Sequence, residues 1–270
     1  MPSYLEVASE IAREAGALVV KYFERRVGFN LKGEFDLVTE ADLASEAFIV
    51  ERLRTYFPSH GIVAEEGHGQ ESASEYRWYV DPLDGTTNFA HGSPVFAVTL
   101  ALERAGELTS GVIYDPLRQE MFRTERGAGA WLNNRRLRVS TTGIVNDSLS
   151  ATGFPSRKRH QSVNVHFYYH LAMLSHGVRR AGSAALDAAY VACGRLDAFW
   201  EFGLNPWDIA AGVLMVAEAG GKVTDMRGQP FSLRGPHMLA DNGLLHQEML
   251  GIFADIFAGR YRMPLPEMRG

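Results

Sequence analysis

The stretch WYVDPLDGTTNFAHG, Trp78 to Gly92, carries the strongest structural signal in this sequence. It begins with Trp78-Tyr79-Val80, an apolar run with the length and the β-branched and aromatic character of a buried strand. We expect the strand to end at Asp81. Because Pro82 restricts the preceding residue to an extended conformation, Asp81 should point out of the strand end while the chain turns back through Asp84. Two carboxylates would then share one small volume.

The residues that follow, Gly85-Thr86-Thr87, are able to open a helix whose unpaired N–H groups would face the same volume. Two ionised carboxylates about 4 Å apart repel by roughly 4 kcal/mol at an effective dielectric of about 20, so they require a compensating cation. Magnesium is the natural candidate because the available ligands are all oxygen atoms, and a helix N-terminus beside it suits a phosphate. The alternative is a plain turn, since Asp, Pro and Gly are common turn residues.

Composition and charge narrow the function classes. The chain has 270 residues, is 46% hydrophobic and has no linker-like stretch, which favours one globular domain over residues 1–270. The net charge of −5 gives no general attraction to nucleic acid or an anionic membrane. No signal-peptide pattern is present, and no apolar run approaches the length of about 18 residues that a spanning helix needs. A cytoplasmic enzyme is expected.

Further acids recur at the ends of predicted elements. Helical spacing predicts a first helix that starts with a Ser3/Glu6 capping box and a second that starts at Thr39 or Glu40, with Asp42 in its first turn. A short strand, Ile62 to Ala64, runs into Glu65-Glu66, and an antiparallel meander should follow the central stretch. Asp208 begins a later helix, where it is either a site residue or a charge favoured by the helix dipole.

Two segments resemble the signatures of the inositol monophosphatase family: DPLDGTTNF, Asp81 to Phe89, and WDIAAGVLMVAEAGG, Trp207 to Gly221. The run FDLVTEAD, Phe35 to Asp42, and the run from Arg180 to Glu201 extend the similarity over nearly the whole chain. The last run is most similar to the bacterial branch, which includes inositol-1-monophosphatases and a member reported to act with RNA polymerase antitermination factors.

The resemblance implies an α+β fold, a layered αβαβα sandwich of the inositol monophosphatase and fructose-1,6-bisphosphatase type, usually as a homodimer. It also implies a set of site residues. Two or three Mg2+ ions would be held by Glu65, Asp81, the Leu83 carbonyl, Asp84 and Asp208. Thr86 and Asp42 would help Glu65 to activate water. Gly85 and Thr86 would bind the phosphate through their amides, and the sugar or inositol hydroxyls would face Asp84, Gly182, Ser183, Ala184 and Glu201.

The substrate is less constrained than the reaction. Glu201 and the small Ala184 suit a neutral polyol phosphate such as myo-inositol 1-phosphate, whereas a bisphosphate would need a second cationic pocket, for which Arg157 to Arg159 are candidates. Fructose 1,6-bisphosphate, histidinol phosphate and 3′-phosphoadenosine 5′-phosphate therefore stay open. A regulatory protein that contacts transcription machinery is the alternative from another class. The family also implies lithium sensitivity, while a third, weak metal site at Lys32 or Asp36 is doubtful because their loop is short.

Overall fold

The computed structural model describes residues 3–26, 28–32, 37–155 and 161–265. Within these ranges the α-helices are α1 (Tyr4–Arg25), α2 (Glu40–Tyr56), α3 (Thr86–Ala90), α4 (Asn164–Leu174), α5 (Ala184–Ala192), α6 (Pro206–Glu218) and α7 (His246–Phe257). The strands of the first half are β1 (Phe29–Leu31), β2 (Leu37–Thr39), β3 (Gly61–Ala64), β4 (Tyr76–Asp84), β5 (Ala97–Arg104), β6 (Glu107–Asp115), β7 (Glu120–Glu125), β8 (Gly129–Leu132) and β9 (Arg135–Arg136). Those of the second half are β10 (Leu149–Thr152), β11 (Gly177–Arg179), β12 (Ala198–Phe202), β13 (Lys222–Thr224) and β14 (His237–Asp241).

These elements form five layers in the order α, β, α, β, α, which confirms the predicted fold class. Helices α1 and α2 pack on one face of a seven-stranded sheet, β3 to β9, and α5 and α6 pack on its other face. Both α5 and α6 also contact strands of a five-stranded sheet, whose order is β11-β10-β12-β14-β13. Helices α4 and α7 cover the outer face of that second sheet.

Alternating side chains along single strands fill the separate cores. On β4, Trp78 and Val80 pack towards α1 and α2, whereas Tyr79 between them packs towards α5 and α6. On β12, Phe199 joins the central core and Trp200 joins the core under α4 and α7. The central helix layer is rich in alanine, and its small side chains allow α5 and α6 to lie close to both sheets.

Local sequence signals placed most elements correctly. The Ser3/Glu6 capping box at the start of α1 is present, and Thr39 caps α2 as expected. The predicted meander is also confirmed, because β4 to β9 pair in sequence order as antiparallel neighbours. Strand β14 was not predicted, although it pairs with both β12 and β13 in the second sheet.

The prediction that the central strand ends at Asp81 was wrong. Strand β4 continues to Asp84, and its pairing with β5 shifts register between Asp81, opposite Thr99, and Asp84, opposite Ala97. Three steps along β4 therefore match two steps along β5, which is the signature of a β-bulge. In a regular strand, residues three apart point to opposite faces. The extra residue explains how Asp81 and Asp84 can both face the cavity described below.

Candidate active site

A cavity of about 560 Å³ opens where β3, β4, α3, α5 and α6 meet. All but one of the residues predicted for the site line this cavity: Glu65, Asp81, Leu83, Asp84, Gly85, Thr86, Gly182, Ser183, Ala184, Glu201 and Asp208. Asp42 lies behind this wall and contacts it through Thr86. Asp36 and Arg157 to Arg159 lie outside the described residues. Acids separated by more than 140 positions thus converge on one volume.

Burial raises the pKa values of the acids in the cavity, and neighbouring negative charges add to the rise for Asp81 and Asp208. Burial raises the pKa of Asp81 well above its usual range, and the charges of Glu65, Asp84 and Asp208 add to this effect. Burial, with the charges of Glu65, Asp84 and Glu201, likewise raises the pKa of Asp208. Burial raises the pKa of Asp84 to about 6. Without a cation, these carboxyl groups therefore bind protons more tightly than exposed carboxyl groups do.

Glu65 and its neighbour Glu66 both contact Lys32, the only positive side chain among the described residues that does so. Lys32 Nζ lies 3.2 Å from Glu65 Oε1 and 2.6 Å from Glu66 Oε1. Burial raises the pKa of Glu65 to about 7, while the charge of Lys32 opposes that rise and the charges of Glu66 and Asp42 add to it. Glu65 is therefore able to exchange a proton near neutral pH.

A buried hydrogen-bond chain joins Asp42 to Thr86. The Thr86 hydroxyl lies 2.9 Å from Asp42 Oδ1 and 3.1 Å from the Leu83 carbonyl oxygen, and it can donate its proton to either. The other oxygen of Asp42 accepts hydrogen bonds from the Thr39 amide at 2.8 Å and from the Thr39 hydroxyl at 2.5 Å. Asp42 thus has two tasks, because it completes the cap of α2 and orients the Thr86 hydroxyl at the cavity wall.

The start of α3 forms part of the cavity wall. Gly85 precedes the helix with a φ of 99°, a conformation that favours glycine. A Cβ at this position would lie 2.8 Å from the Val95 carbonyl oxygen, so glycine is also required for packing. No described side chain caps this helix end, and Gly85, Thr86 and Thr87 all line the cavity. Such a helix start is suited to an anion.

Ser183 and Asp208 each combine a structural role with a place at the cavity. The Ser183 hydroxyl caps α5 and donates to Asp84 Oδ2 at 2.5 Å, and the Ala185 amide donates to the same oxygen at 2.8 Å. Asp208 accepts a hydrogen bond from the Asn205 amide at 2.7 Å near the start of α6. The two interpretations of Asp208 offered by the sequence, helix charge and site residue, are therefore compatible.

Asp187 is a cavity residue that the sequence did not reveal. It lies in α5, a helix of otherwise small and apolar residues, and it is 2% exposed. Burial and the charge of Asp84 raise its pKa, and the charge of Arg180 opposes the rise. Burial, Asp187 and Asp84 similarly raise the pKa of Glu201. The sequence signal that could have identified Asp187 is a single acid within an otherwise apolar helix. Asp187 and Glu201 together make this end of the cavity acidic.

The donor set of the cavity fits magnesium, because carboxylate and carbonyl oxygens are the ligands that this ion prefers. Within residues 3–26, 28–32, 37–155 and 161–265, however, no three acidic, histidine or cysteine side chains are already close enough together to hold an ion. Asp84 and Asp208 accept protein hydrogen bonds instead, and Glu65 contacts Lys32. Binding of a cation would therefore require these side chains to move closer together.

In this layered fold, oxygen donors gather in one cavity beside a helix N-terminus. Such an arrangement can hold a cation and a phosphate together, which is typical of metal-dependent phosphatases. The model of the inositol monophosphatase family matches residues 1–256, and the chain belongs to this family. In the part of the chain that the structure describes, no helix is long and apolar enough to cross a membrane.

Individual relatives carry two kinds of name. The chain is 47% identical over 251 residues to a protein of Pseudomonas aeruginosa named Nus factor SuhB, with 90% of this chain and 92% of the relative covered. It is 44% identical over 252 residues to the inositol-1-monophosphatase of Synechocystis, with 92% and 88% covered. The solved inositol monophosphatase of Anabaena is similar with a TM-score of 0.84 and 43% identity, covering 92% of this chain and 94% of that one.

Proposed function

We propose that this protein is a magnesium-dependent phosphate monoester hydrolase and that its substrate is myo-inositol 1-phosphate. The observation that carries the proposal is the convergence of Glu65, Asp81, Asp84 and Asp208 on one cavity beside the start of α3. Similarity to a relative named inositol-1-monophosphatase supports the choice of substrate. Phosphate monoesters hydrolyse extremely slowly without a catalyst, so an enzyme must both activate water and stabilise the charge on the phosphoryl group.

Glu65, Asp81, the Leu83 carbonyl, Asp84 and Asp208 would hold two or three Mg2+ ions. Bound magnesium would supply charge neutralisation of the phosphoryl oxygens and a lower pKa for coordinated water. The five groups come from three different elements, the end of β3, the bulged end of β4 and the start of α6. Their relative positions are therefore set by the first sheet and by the packing of α6 against it.

The remaining steps fall to side chains and amides of the chain itself. Glu65 would accept a proton from the attacking water, helped by the Thr86 hydroxyl that Asp42 orients. The amides of Gly85 and Thr86 would bind the phosphate at the start of α3. Asp84 and Glu201 would accept hydrogen bonds from substrate hydroxyls, with Gly182, Ser183 and Ala184 forming the wall between them.

The Glu201 carboxylate lies directly against Gly153. A Cβ on Gly153 would lie 2.2 Å from both carboxylate oxygens of Glu201, so the acid occupies space that any side chain at position 153 would need. Glu201 and Asp187 together give this end of the cavity an acidic character, which favours a neutral polyol over a second phosphate. This preference argues against bisphosphates.

Turnover on four substrates tests the proposal. Purified protein with Mg2+ should release phosphate fastest from myo-inositol 1-phosphate, and more slowly from fructose 1,6-bisphosphate, histidinol phosphate and 3′-phosphoadenosine 5′-phosphate. The same assay with a chelator should show no release. A faster reaction with any of the other three substrates would contradict the proposed substrate. Phosphate release that persists in the chelator would contradict the metal-dependent mechanism.

A second candidate function is contact with transcription machinery, which the relative named Nus factor SuhB favours. Co-purification with RNA polymerase and its antitermination factors would test it. Binding that persists in a variant without phosphatase activity would show that this role is independent of the cavity. The net charge of −5 favours a protein partner over direct contact with nucleic acid.

Four further properties are proposed: a single domain over residues 1–270 and a cytoplasmic location from composition and sequence pattern, and a homodimer and inhibition by lithium from the family resemblance. Size-exclusion chromatography with light scattering tests the dimer, and phosphate release in rising LiCl tests the inhibition. Limited proteolysis tests the domain organisation, since a second domain would yield a stable fragment. Fractionation of the source cells tests the location.

A further inference from the structure

Glu46, a fully buried acid of α2, is not among the residues assigned above to metal or substrate. Its side chain has 0% exposure, and both of its oxygens accept hydrogen bonds. Oε2 accepts from the Glu66 amide at 2.6 Å, and Oε1 accepts from the His68 amide at 2.9 Å. His68 Nδ1 lies 2.8 Å from Oε1 as well. A buried carboxylate is costly unless it is hydrogen-bonded in this way.

The two amides that Glu46 binds flank a tight turn directly after Glu65. Gly67 adopts a φ of 98°, which allows the Glu66 and His68 amides to reach the same carboxylate. The Glu65 amide itself donates to the Val80 carbonyl oxygen at 3.3 Å. The backbone is thus held on both sides of the Glu65 side chain, by β4 before it and by α2 after it.

Glu46 is one of three buried polar residues on the face of α2 that contacts the site. Asp42, Ser45 and Glu46 follow the i, i+3, i+4 spacing of one helix face, and each has 0% exposure. Asp42 contacts Thr86, and the Ser45 hydroxyl donates to the Pro82 carbonyl oxygen at 3.0 Å. This face of α2 therefore holds three separate segments that line the cavity, the start of α3, the bulge of β4 and the turn after β3.

We propose that Glu46 is a positioning residue that sets the direction in which Glu65 enters the cavity and thereby the affinity of the site for a divalent cation. The inference rests on the proposed function, because it takes Glu65 as a metal ligand. Glu46 acts through the amides of Glu66 and His68, and it is not expected to touch metal or substrate. Groups that orient a ligand typically change metal affinity by about 10-fold to 100-fold when they are replaced.

Glu46→Gln is the primary test. Glutamine keeps the size of the side chain but has one carbonyl oxygen, so one of the two amides would meet an NH2 group instead of an acceptor. Calorimetric titration of the folded variant with MgCl2 alone should show binding weakened by about 10-fold or more. The Mg2+ concentration for half-maximal phosphate release should rise by the same factor, while the rate at saturating Mg2+ stays within a few-fold of the wild type.

Asp197→Asn is the matched control. Asp197 is also a buried acid that accepts a backbone amide, that of Leu149 at 2.7 Å, but it is not part of the cavity lining. Its replacement should lower the melting temperature and leave Mg2+ affinity unchanged. If both variants lose stability and neither changes Mg2+ affinity, Glu46 is only structural and the proposal is overturned. Equal weakening of Mg2+ binding in both variants would overturn it too.

Gly67→Ala covers the case in which Glu46→Gln does not fold. No atom lies within 4 Å of an added Cβ at this position, so the substitution strains only the turn that presents the two amides. Mg2+ binding weakened by several-fold would support the proposal, and unchanged binding would refute it. A wild-type protein that neither binds Mg2+ nor releases phosphate would instead contradict the proposed function itself.

Discussion

Replacing Asp84 with asparagine should make the metal-free protein more stable at alkaline pH while it removes most of the activity. Burial raises the pKa of Asp84 to about 6, from a usual value of 3.8. The folded protein therefore binds the Asp84 proton more tightly than the unfolded chain does. Protonation of Asp84 stabilises the fold fully below pH 3.8, and this stabilisation is lost as pH rises through about 6. This difference in pKa corresponds to a loss of about 3 kcal/mol in the free energy of unfolding above pH 6.

The substitution is suited to the question because asparagine retains an acceptor oxygen. That oxygen can still accept from the Ser183 hydroxyl and the Ala185 amide, which bind one oxygen of Asp84. Only the charge and one potential metal ligand are lost. Without metal, Asp84→Asn should therefore exceed the wild type in free energy of unfolding by a few kcal/mol at pH 8, on the order of the 3 kcal/mol above, and match it near pH 4.

Urea denaturation in a chelator at several pH values measures the stability difference, and the same experiment in MgCl2 measures the contribution of the metal. Mg2+ should stabilise the wild type at pH 8 much more than the variant, because binding to the folded state is what raises stability. Phosphate release by the variant should fall by about 100-fold or more. A variant that is equally destabilised at every pH, or that keeps its activity, would refute the electrostatic reasoning.

Three other changes test separate parts of the site. Thr86→Val removes the hydroxyl that contacts Asp42, so kcat should fall by about 100-fold while the melting temperature changes little, and steady-state kinetics with a thermal scan measures both. Because burial raises the pKa of Glu65 to about 7, Mg2+ must displace a proton from Glu65 when it binds near or below neutral pH. Titration calorimetry in buffers of different ionisation enthalpy should show tighter Mg2+ binding and fewer protons released at pH 8 than at pH 6. An Mg2+ affinity that does not change with pH would contradict this prediction. Gly153→Ala forces the Glu201 carboxylate to move, so KM for myo-inositol 1-phosphate should rise several-fold while Mg2+ affinity stays unchanged. Initial rates and metal titration measure the two quantities, and an unaltered KM would exclude Glu201 from substrate binding.

The bulge in β4 shows where local sequence signals were insufficient. The apolar run and the two aspartates correctly indicated a buried strand followed by an acidic pair. They could not show that the strand continues through both acids, since Asp-Pro-Leu-Asp is also a common turn sequence. The extra residue that brings Asp81 and Asp84 to the same face is defined only by the pairing of β4 with β5.

By itself, the sequence determined the identity of the acids, the caps of the first two helices and the family. These properties depend on residue type and on contacts within a few positions, such as the Ser3/Glu6 capping box and the hydrogen bond from Thr39 to Asp42. The family match over residues 1–256 agrees with the similarity seen in these separate segments.

Only the tertiary structure decided which distant groups act on one another. The placement of Asp187 near Glu201, the contact of Lys32 with Glu65 and the hold of Glu46 on the following turn all join segments that are distant in the chain. Electrostatic and hydrogen-bond energies depend on distance and burial, and neither is fixed by spacing along the sequence. The packing of α2, α5 and α6 against the first sheet fixes both.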